Sequence, residues 1–82
     1  MTLRELSRDE QRTLTTENSI AVVEVSGIAA KSGIASGDLI IAINSKRVKN
    51  IRELGDALKS ANKRAAILVQ RGESMMFIPL KY

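Results

Sequence analysis

Residues 27–48 read GIAAKSGIASGDLIIAINSKRV, a run of local signals with one reading each. Ala29 and Ala30 favour helix and take little room. Gly33 stands where so short a helix must stop, because glycine best tolerates the left-handed backbone of a helix end. Gly37-Asp38 is a turn pair. Leu39-Ile40-Ile41-Ala42-Ile43 is an apolar run of strand length, rich in β-branched residues, and is predicted to be a buried strand. Asn44-Ser45-Lys46 forms a polar turn before Arg47-Val48. On this reading Ala29, Ala30, Gly33 and Gly37 fold a tight corner, and Ile40 and Ile43 fill the core. These residues define a scaffold, and function is sought elsewhere on it.

Upstream, Met1-Thr2-Leu3-Arg4-Glu5 alternates apolar and polar, which suits a short half-exposed strand. Ser7-Arg8-Asp9-Glu10 is a capping box with acids in the first turn, and predicts a helix over 8–14. A polar loop over 15–18 precedes a strand over 19–25, with Val23 and Val25 expected on one face. Downstream, Asn50 caps a helix over 51–61, and Glu53 completes a second box-like spacing. Ile51, Leu54, Ala57, Leu58 and Ala61 recur at helical spacing. Gly55 interrupts that helix at a cost of about 1 kcal/mol relative to Ala. Residues 65–70 and 74–80 read as strands joined by a turn at Arg71-Gly72-Glu73. Pro79 cannot donate to a sheet ladder and belongs on an edge or a strand end. Both of these strands are apolar on both parities, so the pattern leaves open which face is inward.

The chain has 82 residues, which makes one small domain with a modest core. It has no cysteine, hence no disulfide and no thiolate metal site. It has no histidine, hence no histidine base and no histidine metal ligand. Gly33-Ile34-Ala35-Ser36-Gly37 is not a nucleophile elbow, because its serine comes one position late. Gly27-Ile28-Ala29-Ala30-Lys31-Ser32 is one residue short of a phosphate loop and lacks the glycine before lysine. Catalysis, metals and cofactors are therefore not expected. The net charge is +4. Lys46, Arg47, Lys49 and Arg52 cluster weakly, as do Lys63 and Arg64. Acids are interleaved, and Phe77 and Tyr82 are the only aromatics available for stacking, so a solvated basic surface is the better reading than a nucleic-acid site. No apolar run approaches the roughly 20 residues of a membrane span, so no membrane insertion is expected. The charged first residues do not read as a signal peptide.

The pattern Ala29-Ala30-x-x-Gly33-Ile34-x-x-Gly37-Asp38-x-Ile40-x-x-Ile43-Asn44-x-x-x-Val48 resembles the signature of bacterial PDZ domains. The variant is the circularly permuted one that follows the protease domain in HtrA/Deg serine proteases. The resemblance continues through 50–61 and the Val69-x-Arg71-Gly72 hairpin, and residues 1–18 share it in layout only. Val25-Ser26-Gly27-Ile28 is shorter than the family's usual proline-containing lead into the Ala-Ala pair.

The resemblance implies an α+β fold: a small, partly open, mostly antiparallel β-barrel or sandwich with two helices. It implies that residues 1–82 are a single PDZ domain from a longer exported, periplasmic protease chain, itself a serine endopeptidase, while this chain is not an enzyme. The implied function is recognition of hydrophobic C-terminal or extended peptide segments by strand addition, regulating or feeding the protease. The family's accepting strand maps onto Met1, Thr2, Leu3 and Arg4, and its groove-facing helix positions onto Ile51, Gly55 and Leu58. The carboxylate-binding loop is expected upstream of Met1. Partners implied are peptides or unfolded segments, and the protease domain or neighbouring subunits. Two alternatives stand beside this reading: a structural PDZ module for protease oligomer packing, and a PDZ module of another envelope system, such as a secretion component or a site-two protease. Leu58 and Leu54 also suit the core, and Ile51 suits core and groove equally. The glycine at 55 leaves room for a ligand side chain or for a close neighbouring strand.

Overall fold

The computed structural model describes residues 2–81. Its elements run β1 (Thr2–Glu5), α1 (Arg8–Thr13), β2 (Ile20–Glu24), α2 (Gly27–Ser32), β3 (Leu39–Ile43), β4 (Lys46–Arg47), α3 (Ile51–Ser60), β5 (Arg64–Arg71) and β6 (Ser74–Lys81). The strands make one open antiparallel sheet in the order β1-β2-β3-β5-β6, with the two-residue β4 paired to β3. This is the α+β architecture expected, but with three helices rather than two, because the capping box closes the short α1 in addition to α2 and α3.

The helix ends form as their sequences dictate. Ser7 Oγ accepts from Glu10 N–H, and the Glu10 carboxylate accepts from Ser7 N–H, completing the box. Gly33 ends α2 at φ 107°, in the left-handed region. Asn50 caps α3 by accepting from Glu53 N–H at 2.8 Å. The second box closes differently from the first. The Glu53 carboxylate reaches one residue further back and accepts from Lys49 N–H at 2.8 Å. Asn44 and Ser45 both take positive φ, as a two-residue hairpin turn requires, and Asn44 extends the ladder by exchanging bonds with Ala66 on β5.

The main core lies on one face of the sheet. Ile20 and Val22, Ile40 and Ile43, Ile67 and Val69, and Ile78 and Leu80 point into it from four strands, and Leu54 and Ala57 of α3 close over them. The parity that the pattern left open is thus decided: Ala65, Ile67 and Val69 are inward on β5, and Met76, Ile78 and Leu80 on β6. Pro79 sits on the edge strand, as expected. A smaller cluster of Leu6, Ala21 and Leu39 forms on the opposite face.

The expectation that Val23 and Val25 share a face does not hold. The β1–β2 register shifts between Thr2 and Leu3, which pair with Glu24 and Val22, so Val23 is an extra residue in a bulge. A bulge breaks the two-residue period. Val23 is exposed, and Val25, beyond the strand end, packs on the core.

Candidate functional site

β1 is the end strand of the sheet, so the backbone groups that face away from β2 have no strand partner among the described residues. α3 stands along that side. It is held over the core by Leu54 and Ala57, which places its first turn against the end of β1. The two are joined directly: Ile51 N–H donates to the Glu5 carboxylate at 3.3 Å. Ile51 opens the helix, where N–H groups have no partner within it and the dipole favours an anion, so Glu5 serves as a second cap delivered from the strand.

Of the residues singled out from the sequence, Met1 lies outside the described residues. Thr2 and Arg4 are exposed on β1, and Leu3 between them is half-buried against the main core. Arg4 turns away from α3 and donates to both carboxylate oxygens of Glu10 on α1, at 2.9 and 2.6 Å. That pair, with Ser7 N–H, lowers the Glu10 carboxyl to about 2 and raises the Arg4 guanidinium. On α3, Ile51 is 37% exposed, Gly55 is exposed, and Leu58 is half-buried against the core. A Cβ built on Gly55 meets nothing within 4 Å. The glycine is therefore not required by a close neighbouring strand, and open space stands over it. The structure thus sets Thr2, Leu3 and Arg4 on an open edge, with Ile51, Gly55 and Leu58 on the helix beside it.

Two of the contacts that sequence reasoning missed tie distant parts of the chain together. One is the Glu5–Ile51 tie. The other is the bond between the two ends of the central strands. Asp38, 1% exposed, accepts from Arg71 Nε at 2.8 Å, from Arg71 Nη2 at 2.7 Å and from Ala35 N–H at 2.9 Å. Arg71 also donates to the Gly33 carbonyl at 2.8 Å. The Arg71 bonds lead in lowering the Asp38 carboxyl below its ordinary range, against the opposing effect of burial, and they raise Arg71. The one available signal was an acid placed directly before an apolar strand, which needs a cation. The site is an edge rather than a cavity. A hollow of about 420 Å3 lined by Gln11, Glu17, Asn18, Ser19, Arg47, Val48 and Lys49 lies at the α1–β2 loop and β4, away from the β1 edge. Among the described residues no group of acids could hold a metal ion, and no helix is long and apolar enough to cross a membrane.

A family model for the PDZ domain matches residues 19–71. A DegP-like periplasmic serine endoprotease of Chlamydia pneumoniae is 43% identical over 63 residues, covering 76% of this chain. The chain spans 13% of that protein's length. Among solved structures, the HtrA3 PDZ domain bound to a phage-derived ligand (FGRWV) superposes with a TM-score of 0.87 at 20% identity, over 99% of this chain and 79% of that one. The HtrA-type protease AlgW with a decapeptide gives a TM-score of 0.76 at 21% identity, over 96% of this chain and 26% of that one.

Proposed function

Since this chain belongs to the PDZ domain family, of the HtrA/Deg type, we propose that it is the non-catalytic peptide-binding module of a periplasmic serine endoprotease. The ligand is a hydrophobic C-terminal or extended segment that adds as a strand to β1. The observation that carries this reading is the unpaired edge of β1 standing beside α3. An extended segment there gains main-chain bonds to alternate β1 residues, and its alternate side chains turn toward Ile51, Gly55 and Leu58. The open space over Gly55 suits a large side chain. The DegP-like relative is named a periplasmic serine endoprotease and is far longer than this chain, which supports a role in presenting substrate to a protease domain or regulating it.

The test is a nitrogen-15 NMR titration with a pentapeptide of apolar residues ending in a free carboxylate. Amide shifts concentrated in Leu3–Glu5 and Ile51–Leu58, with β5 and β6 unmoved, are expected. No shift at about 1 mM peptide, a bound on Kd near the weakest useful affinity, would hand the domain to the alternative role of packing protease subunits.

A further inference from the structure

The second face of the sheet is covered over one half and bare over the other. Leu6, Ala21 and Leu39 cluster on it at the β1–β3 end. The loop after α1 reaches across as far as Gln70 on β5, where Asn18 Nδ2 donates to Gln70 Oε1 at 3.1 Å. From Gln70 onward the outward residues of the β5–β6 hairpin are half-buried at Gln70, Leu68 and Ala66 and exposed at Arg64 and along β6. They pair across it as Gln70 with Met75, Leu68 with Phe77, Ala66 with Pro79, and Arg64 with Lys81. Met75 is 67% and Phe77 64% exposed, the most open large apolar side chains among the described residues.

This ribbon has a polarity of its own. β5 and β6 contain no acidic residue. Arg64 and Lys81 close one end of the apolar strip, and Lys63 precedes Arg64 in the turn. The Asn44 side chain, bonded to the Arg64 carbonyl and to Ala66 N–H, brings the turn before Lys46 to the same end. Lys46, Lys63, Arg64 and Lys81 are all exposed, and none has an ion pair among the described residues.

We propose that this bare half-face docks on an anionic lipid bilayer, with Phe77 and Met75 seated at headgroup level and Arg64, Lys81 and Lys63 on the lipid phosphates. The strip borders a hollow of about 330 Å3 at its Gln70–Met75 end, beside the α1–β2 loop, while Leu68, Phe77 and the residues beyond them do not line it, which fits contact with a broad surface rather than a cleft. Long cationic arms beside protruding apolar side chains can hold phosphates while the apolar groups settle deeper. A second copy is disfavoured: each copy carries +4, and stacking two such faces would bury unpaired cations. Nucleic acid is disfavoured because the strip offers one aromatic, Phe77, for stacking. β6 lies at the opposite end of the strand order from β1, so adsorption leaves the edge beside α3 open. The proposal does not depend on peptide binding there.

The test is co-sedimentation of the chain with vesicles of phosphatidylglycerol and phosphatidylethanolamine, set against vesicles of phosphatidylcholine alone. Binding to the anionic vesicles is expected to exceed that to the neutral ones at least about tenfold, and to fall about tenfold between roughly 0.05 and 0.5 M salt. The double variants Phe77→Ser/Met75→Ser and Arg64→Glu/Lys81→Glu should each weaken it about fivefold or more, with their folding checked by circular dichroism. Should a variant not fold, the unaltered chain still decides: a spin-labelled lipid should broaden the amides of Ala66, Leu68 and Phe77 before those of α3. Absence of binding to anionic vesicles overturns the proposal, as does binding that both folded variants retain or broadening centred elsewhere. Self-association in the ultracentrifuge that Phe77→Ser abolishes, without vesicle binding, would assign the face to a second copy instead.

Discussion

The two ends of the sheet meet the same difficulty in opposite ways. An edge strand exposes backbone groups that any extended chain can pair with. β6 is eight residues long and apolar, the kind of edge that invites such pairing. It is blunted by Pro79, which lacks an N–H, by Lys81 at its end and by α2 lying alongside. β1 is four residues long and three of them are exposed. No proline interrupts it, and it is tied by side chains, Arg4 to Glu10 and Glu5 to the first turn of α3. The hairpin carries inward-facing core residues, whereas β1 contributes only the half-buried Leu3. Buried packing is thus concentrated at one end of the sheet, and the edge strand without a proline stands at the other. A region with few buried contacts is the one that can adjust at little cost.

If the hairpin carries the stability through one face only, neighbouring residues on it should differ sharply. Ile67→Ala removes a fully buried side chain and should destabilise by about 3 kcal/mol, while Leu68→Ala, half-exposed on the outer face, should cost about 1 kcal/mol or less. Urea denaturation of both variants measures this, and equal costs would show the hairpin to be packed on both faces.

The next effect tests what joins the hairpin to the central corner. Asp38→Asn turns a donor toward Arg71 or Ala35 and should cost about 2 kcal/mol. The folded carboxyl lies below its unfolded value. Its contribution is therefore complete above the unfolded pKa of about 3.9 and is lost as pH falls through the lower folded one. Denaturation midpoints of the native chain should drop across that acid range, and the drop should shrink in the Asn variant.

At the other end of the sheet, Gly55→Leu should leave the fold intact and raise stability by roughly 0.8 kcal/mol, because helix propensity improves and the space over Gly55 is open. The same variant should weaken a bound apolar peptide about tenfold, or about 1.4 kcal/mol. Melting curves and peptide titrations, read together, sharpen the contrast between the two ends. Unchanged affinity in the folded variant would remove Gly55 from the ligand's path.

The smallest effect belongs to the tie that turns Arg4 away from α3. Carbon-detected NMR should find the Glu10 carboxyl titrating at about 2 rather than at the ordinary 4.5. Its folded value is lowered, so its contribution is complete above the unfolded pKa and fades as pH falls toward about 2. Glu10→Gln should change the melting temperature less than Asp38→Asn does, since Arg4 and Glu10 are both substantially solvent-accessible.

Much of this molecule is legible from sequence neighbours alone. The box at Ser7 and Glu10, the stop at Gly33, the corner at Gly37-Asp38 and the buried strand after it each depend on residues within one turn or one strand of each other. Propensity, capping and turn chemistry act over that range, and the tertiary fold does not overrule them here. The edge and the helix that make the candidate site were legible through the resemblance, not through any feature of Thr2, Leu3 or Gly55 themselves. The tertiary structure alone decided what depends on distant partners. Residues 64–81 are apolar on both parities, and only the pairing of Ile67 with Ile43 and Val69 with Ile40 turns the odd positions of β5 inward. Arg71 reaches Asp38 across 33 positions, and Glu5 meets Ile51 across 46. With 13 cations and 9 acids in the chain, composition cannot choose such partners. Strand register chooses them, because it brings far-apart residues within bonding distance.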